Sequence, residues 1–400
     1  MSMNTKEHFR QAVFETPFHP RTSALNIRCE WHRWKDYITA DAYYDEALEY
    51  AGIRNSCAVF DITPMTKHRI TGPDALAFLD RLVTRNVAKI KPGRVGYTVW
   101  CNDNGHVIDD GTIFHLRAGD YRLCSQERQL DWLLRSAYGF DVRIVEETHD
   151  VAALALQGPT SCAVLKAIGC LGLEKLSPFG ILYYPFQGGE LMVSRTGFTG
   201  DLGYELWIDP PRALALWDAL FDKGEIHGIR PMGTHALDVA RIEAGFLQAH
   251  VDFLPADQAI KLDRARSPFE LDLAWLVDLE KPIFNGRRAL LEEKKRGSRF
   301  QLVRLDIEGN KPAHSSYIYA DRNKGAVVGT VTSAQWSPSA KANIALASMH
   351  MPWGRPGDEL WVDIYYQKEL EWSRVMARAR VVEGAFFDPP RRRATPAADS

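Results

Sequence analysis

The feature that most constrains this fold is a change of rhythm near residue 300. Before it, short strand patterns mix with amphipathic helices, without the regular alternation of a doubly wound sheet. After it, strand patterns follow one another: QLVRLDI, AVVGTVTSA, ANIALASMH, ELWVDIYY and SRVMARARVV, separated by polar turns. Five short strands of this kind predict a small barrel or jelly-roll-like domain. The mixture upstream predicts an α+β class. Four hundred residues suffice for about two or three domains.

Local signals place the elements. Residues 1–20 are polar and are expected over the surface. Asp41 is read as the N-cap of a helix over 42–53. Residues 66–71 alternate like a strand, Gly72-Pro73 breaks it, and Asp74 opens a helix over 75–86. Tyr97 to Cys101 and His106 to Leu116 flank Asn104-Gly105, a tight-turn pair, and read as a hairpin. Short strands are expected at 121–124, 150–155, 191–194 and 204–208, and helices at 127–138, 160–168, 211–222 and 234–244. The stretch 251–299 reads as a connecting region. The low apolar content of the last residues, 391–400, predicts a disordered tail.

Charge and cysteine usage exclude several functions. With 49 Lys+Arg against 51 Asp+Glu, no general field draws in nucleic acid or an anionic membrane, and neither partner is expected. No apolar run reaches membrane-spanning length. Six scattered cysteines without a Cys-x-x-Cys pair point to free thiols, no structural metal and a cytoplasmic location.

Three segments can carry chemistry. In the hairpin, Asp109 and Asp110 are adjacent, so they point to opposite faces of a strand. Asp110 shares its face with Ile108, Thr112 and Phe114, and Asp109 with Val107 and Ile113. If one face is buried, one carboxylate needs a partner or a ligand. The plainer alternative is an edge strand with both acids solvated. The second segment is Arg195-Thr-Gly-Phe-Thr-Gly-Asp-Leu-Gly-Tyr-Glu205, where glycines let the backbone turn tightly. Glu205 then opens a strand, where it can accept two N–H groups from a planar amino-pyrimidine edge. A surface loop with a solvated glutamate is the alternative. The third is Trp31, Trp34 and Tyr37, read either as an aromatic cage for a methylated cation or as packing anchors.

Together these pieces resemble the glycine cleavage T-protein, or aminomethyltransferase, family. The resemblance runs from Val59-Phe-Asp-Ile-Thr-Pro-Met65 through ITGPDALAFLDRLVTRNV, the hairpin to Asp110, and LALQGPTSCAVL. It continues with RTGFTGDLGYEL, DVARIEAG, GTVTSAQWSPSAKANIAL and FFDP. It implies a three-domain cloverleaf with a C-terminal β-barrel: residues 1–61 plus 150–250, residues 62–149, and residues 300–390. It implies tetrahydrofolate as cofactor, Asp110 and Tyr97 as catalytic residues, and Glu205, Asp109, Arg241, Met65 and Gln126 as folate-binding positions. Arg241 is expected near the folate tail.

The chain departs from the T-protein pattern on its substrate side. Thr63-Pro64-Met65 stands for Ser-His-Met, and Ala236-Leu237-Asp238 for Ala-Arg-Asp. Gly200-Asp201-Leu202-Gly203 stands for Gly-Glu-Asp-Gly. The resemblance is therefore to the tetrahydrofolate-dependent demethylases, which take a methyl from a small sulfonium, quaternary ammonium or methoxy compound. No carrier protein is expected as partner; a methoxy donor would also need a proton for its leaving oxygen, for which His32, His68 and Tyr37 are the candidates. The alternatives are an aminomethyltransferase acting on a lipoylated carrier and a non-catalytic folate-binding protein.

Overall fold

The computed structural model describes residues 13–323 and 325–396. The expectation for 1–12 and for 397–400 lies outside them. Residues 13–20 do not simply cross the surface: Phe18 is fully buried, and Thr16 donates to Asp61 at 2.5 Å. After α1 (His19–Leu25), the aromatic-rich segment pairs as a hairpin of β1 (Glu30–Trp34) and β2 (Tyr37–Ala42). Alternation through Ile38, Ala40 and Ala42 extends the strand, so the helix starts later than Asp41 suggests. It is α2 (Glu46–Asn55), capped by Asp45, which accepts the Leu48 N–H at 2.9 Å.

β3 (Cys57–Asp61) is followed by β4 (Thr66–Thr71) and α3 (Ala75–Leu82). α3 stops short because Val83 turns extended and bridges to Trp100. Then come β5 (Arg94–Cys101), β6 (Val107–Arg117), β7 (Asp120–Ser125), α4 (Leu130–Ser136) and β8 (Arg143–Glu146). These strands form a five-stranded sheet in the order β5-β6-β7-β4-β8. Gly105, at φ +75°, makes the β5–β6 turn.

β9 (Ala152–Gln157), α5 (Ser161–Ala167), β10 (Ile181–Phe186), β11 (Gly189–Ser194), β12 (Gly203–Ile208), α6 (Ala213–Gly224), β13 (Ile229–Pro231) and α7 (Thr234–Glu243) follow. Their strands take β3 into a six-stranded sheet, β10-β11-β12-β9-β3-β13. Strands before residue 62 and after residue 150 thus share one sheet. One of its faces buries Leu154, Leu156 and Leu206 beneath Leu165 of α5 and Leu216 of α6. Its other face presents Phe60, Ala155, Met192 and Trp207 to Val95, Phe114 and Cys124 of the five-stranded sheet. Phe114 meets Trp207 edge-on at 4.9 Å.

The segment 251–299 does more than connect. Phe253, Leu271, Leu273, Phe284 and Leu290 are buried with Val99 and Val107 on one side and Ile344 and Leu346 on the other. After α8 (Arg287–Arg296) come β14 (Phe300–Ile307), β15 (Tyr317–Tyr319), β16 (Val327–Ser337), β17 (Ala342–His350), β18 (Glu359–Lys368) and β19 (Glu371–Val382). They close a six-stranded barrel in the order β14-β17-β16-β15-β18-β19. The strand absent from the sequence reading is β15, too short to show alternation. The expected disorder of the tail does not hold through residue 396: Arg391 grips Asp201, and Arg393 pairs with Asp388. Among the described residues no helix is long and apolar enough to cross a membrane.

Arg241 joins α7 to the barrel. Its guanidinium donates to Asp238 (2.7 Å), to the carboxylate of the buried Asp252 (2.5 Å) and to Ser333 on β16 (2.9 Å). Ser333 and Thr332 both donate to the other Asp252 oxygen at 2.6 Å. Removing one partner of such a buried pair strands the other charge. Arg241→Ala is therefore expected to cost about 3–5 kcal/mol in urea unfolding. A loss below about 1 kcal/mol, the size of a surface pair, would show that the clamp is not structural.

Candidate active site

The register of the strands decides where each acid points. β6 lies between β5 and β7, not at an edge, so the solvated-acid alternative fails. Asp110 shares a face with Phe114, the residue that touches Trp207, so it points into the space between the two sheets. Tyr97 lies opposite Thr112 on the same face, and its hydroxyl donates to Asp110 Oδ2 at 2.8 Å. Gln126 extends the same face of β7 as Arg122 and Cys124, and donates weakly to Ala249 O at 3.5 Å. From the opposite sheet, Glu205 shares the Trp207 face of β12. Met65, in the turn before β4, packs against the same cluster.

Tyr97, Asp110, Gln126, Glu205 and Met65 face the opposite sheet, yet all stay partly accessible. Space reached by solvent therefore lies between the sheets here. Alternation and register turn these sequence-predicted residues toward the space between the sheets, where Tyr97 and Asp110 are in contact.

Both cleft carboxylates are hard to ionise. Burial pushes Asp110 up to about 6, opposed by the Tyr97 hydrogen bond. Burial pushes Glu205 up to about 7, opposed by the hydroxyls of Thr196 and Ser194. Thr196 donates to Glu205 Oε2 at 2.5 Å, shares a hydrogen with Ser194 at 2.7 Å, and Trp207 Nε1 donates to Ser194 at 3.2 Å. Burial, and then the Asp110 charge, raises Tyr97 well above its ordinary value, so it stays a donor.

Asp109 does not join the cleft. It points to the other face, fully buried, and accepts the backbone N–H of Asp110 (2.9 Å) and of Glu127 (3.1 Å). It fixes the turn after β7 that carries Gln126 rather than meeting a cofactor. The guanidinium of Arg241, expected near a folate tail, is committed to Asp238, Asp252, Ser333 and Phe246 O.

The aromatic cage is not formed. Trp31 and Trp34 sit three apart on one strand and so face opposite ways. Trp31 packs on His19 at 5.2 Å and Trp34 stacks on Phe60 at 6.1 Å. Tyr37 is buried, with its hydroxyl on His149 Nδ1 at 2.6 Å. The candidate proton donors have their own neighbours. His32 pairs with Asp41 at 2.8 Å, and His68 lies opposite Leu123, on the β4 face turned away from Lys67 and the cleft.

Two residues were missed. Lys67, fully buried, donates to Thr63 O at 2.7 Å and Met65 O at 2.8 Å, so it holds the turn that presents Met65. Burial lowers its pKa to about 8. Its inward place in the alternation of residues 66–71 was the available signal. Trp275 lies in the supposed connector, with its ring 6.0 Å from that of Tyr97. It lines a cavity of about 790 Å³ with Arg85, Lys89, Phe269 and Lys294.

Residues 24–281 match the GCVT N-terminal domain, and residues 301–388 match the glycine cleavage T-protein C-terminal barrel domain. The aminomethyltransferase of Halothermothrix orenii is 32% identical over 354 residues, covering 87% of this chain and 95% of that protein. This chain belongs to the glycine cleavage T-protein family. Enzymes of the family are one-carbon transferases that use tetrahydrofolate as acceptor. The chain is also 35% identical over 361 residues to the trimethylamine-oxide aldolase of Ruegeria pomeroyi, covering 86% of this chain but 43% of that protein. Its fold is that of the Bartonella henselae glycine cleavage aminomethyltransferase T, with TM-score 0.83 at 23% identity, over 96% of this chain and all of that one. The expectation that no carrier protein takes part is withdrawn. Most of these relatives are aminomethyltransferases, the class to which the sequence resemblance attached a lipoylated carrier.

Folding and function pull Asp110 in opposite directions. The folded state holds its proton more tightly than the unfolded chain, so stability falls as pH rises from about 4 through about 6. Asp110→Asn is expected to raise the melting temperature at pH 7.5, with the gap closing at pH 4. Turnover should fall about 10²–10⁴-fold, and the wild-type rate should decline below pH 6. A variant that is fully active, or no more stable at pH 7.5, contradicts the assignment.

Proposed function

We propose that this protein moves a methyl group from a small sulfonium, quaternary ammonium or methoxy donor to N5 of tetrahydrofolate, the bond to N5 forming as the methyl–sulfur, methyl–nitrogen or methyl–oxygen bond breaks and the sulfide, the amine or, with a proton, the alcohol leaves with that electron pair. The observation that carries the reading is the cleft itself: two carboxylates of raised pKa on facing sheets, one hydrogen-bonded to a tyrosine. When bound, tetrahydrofolate supplies the nitrogen nucleophile that takes the one-carbon unit.

The chain's own residues do the rest. Glu205 accepts the N–H groups of the aminopyrimidine edge and so fixes the ring against β12. Asp110, ionised above about pH 6, accepts the proton released near N5. Tyr97 holds that carboxylate in place by its 2.8 Å hydrogen bond. Phe114 and Trp207, in contact between the sheets, give that space an apolar wall. The cavity beside Trp275, with Arg85 and Lys294 on its wall, would offer cations to an anionic folate tail. Held in line, donor and acceptor gain about 7–11 kcal/mol of barrier from positioning.

Two observations support a small donor over the carrier-bound alternative. Leu237 occupies the position of the T-protein arginine and packs against the inter-sheet cluster. The trimethylamine-oxide aldolase relative is named for a small methylated amine oxide. The number of aminomethyltransferase relatives supports the second reading, an aminomethyl group delivered on a lipoylated carrier.

A product screen separates the two. Protein and tetrahydrofolate are mixed with methylated amines and their N-oxides, betaines, sulfonium compounds, methoxybenzoates, or an aminomethylated lipoyl carrier. 5-Methyl- and 5,10-methylene-tetrahydrofolate are followed by mass. The expected outcome is 5-methyltetrahydrofolate from one small donor. Methylene product with the carrier and from nothing else would establish the second reading. Independently, Glu205→Gln should weaken tetrahydrofolate binding about tenfold or more, the size of a lost charge-assisted hydrogen bond. Wild-type binding should tighten as pH rises through about 7, because the ionised form is the acceptor.

A further inference from the structure

The glycine-rich loop between β11 and β12 sets Glu205 through Thr196, and both ends of that loop are held by the segment that follows the barrel. At the β12 end, Arg391 donates to the buried Asp201 from Nε (2.6 Å) and from Nη2 (2.8 Å), and Nη2 also reaches Arg54 O at 3.0 Å. At the β11 end, Arg195 donates from Nη2 to the carbonyl of Ala394 at 2.5 Å and to that of Arg392 at 3.4 Å. Between these anchors, the Phe387 ring lies 3.9 Å from the Arg54 guanidinium, and the Phe387 N–H donates to Glu243 O at 3.0 Å. Arg392 lies 5.0 Å over Phe246, which stacks on Phe198 of the loop at 5.5 Å.

The loop has little shape of its own. Gly200 sits at φ +72°, where a side chain would meet the Ala244 methyl at 2.5 Å. Without Arg391, the Asp201 carboxylate keeps the Leu202 N–H at 2.8 Å and a long 3.4 Å contact to Arg54. A buried carboxylate so poorly paired draws the loop toward water, and the shift is passed on because the Asp201 N–H donates to Thr199 Oγ1 at 3.4 Å, Thr199 donates to Gln157 at 3.0 Å, and Gln157 donates to Thr196 O at 3.2 Å.

We propose that residues 387–394 form a strap that positions Glu205 for tetrahydrofolate, with Arg391 as its positioning residue. This rests on the reading of Glu205 as the carboxylate that holds the folate ring. The strap comes from beyond the barrel, so it makes the C-terminal domain part of the folate site in the first sheet.

The test is tetrahydrofolate affinity, by tryptophan fluorescence titration of the full chain, for Arg391→Ala and Arg391→Lys in the wild-type and Glu205→Gln backgrounds. Arg391→Ala should weaken binding about tenfold or more, and Arg391→Lys should recover part of it. In the Glu205→Gln background the same change should matter less than about twofold, because coupled residues do not add. Arg391→Lys keeps the charge while losing the two-point grip, so it carries the test if the alanine variant does not fold. Unchanged affinity in the wild-type background overturns the strap. So does an equal loss in both backgrounds, which marks a merely structural role. If Glu205→Gln binds as tightly as wild type, the Glu205 reading fails, and that is visible without any Arg391 variant.

Discussion

A carboxylate set between two sheets is costly to ionise, and the strands around Asp110 and Glu205 are arranged around that cost. Asp110 has one hydroxyl partner, Tyr97, and Glu205 has two, Thr196 and Ser194. Neither has a cation in bidentate contact among the described residues. An arginine in such a grip would pull the acid below the usual carboxylate range and end its usefulness near neutral pH. The nearby cations are committed elsewhere: Lys67 to two carbonyls, Arg122 to Glu147, and Arg241 to Asp252. The cleft therefore keeps two acids near the pH at which they change state, which suits groups that must accept a hydrogen.

The same constraint explains what could be read from the sequence. Asn104-Gly105 between alternating strands located the hairpin, and alternation put Asp109 and Asp110 on opposite faces. Which face was buried could not be read, because that depends on β12, almost a hundred residues away, and on one contact, Phe114 against Trp207. The six-stranded sheet joins β3 to strands beyond residue 150. That pairing has no local signal, since strand neighbours distant in sequence are set by packing. The barrel was legible as a run of strands, and only the three-residue β15 escaped, where alternation has no length to show itself.

The misplaced site residues share a cause. Trp31, Trp34 and Tyr37 were grouped by closeness in sequence, but a strand separates near neighbours and joins distant ones. Trp34 ends on Phe60 and Tyr37 on His149. Arg241 matched a motif, yet an arginine on a helix facing a barrel finds carboxylates before it finds a ligand. Asp109 matched a pair, but the backbone of Glu127 absorbs its acceptors. In each case the residue type was right for the chemistry, and a nearer partner had already been taken.

The segment after the barrel shows how such partners bind domains into one site. Composition made DPPRRRATPAADS look unable to order, since it has almost no apolar area to bury. Ordering came instead from charge: Asp201 is buried beside a glycine-rich loop, and Arg391 answers it from the far end of the chain. Phe387 adds a contact on the flat face of Arg54, whose own charge is paired to Glu243. Glu243 in turn accepts from Tyr50 on α2 and from Ser337 on the barrel. One connected network thus reaches α2, α7, the barrel and the loop that leads to Glu205. A carboxylate at a ligand site must be held within a fraction of an ångström to be selective, and a loop rich in glycine cannot do that from within. Rigidity has to be imported, and here part of it comes from residues 387–394.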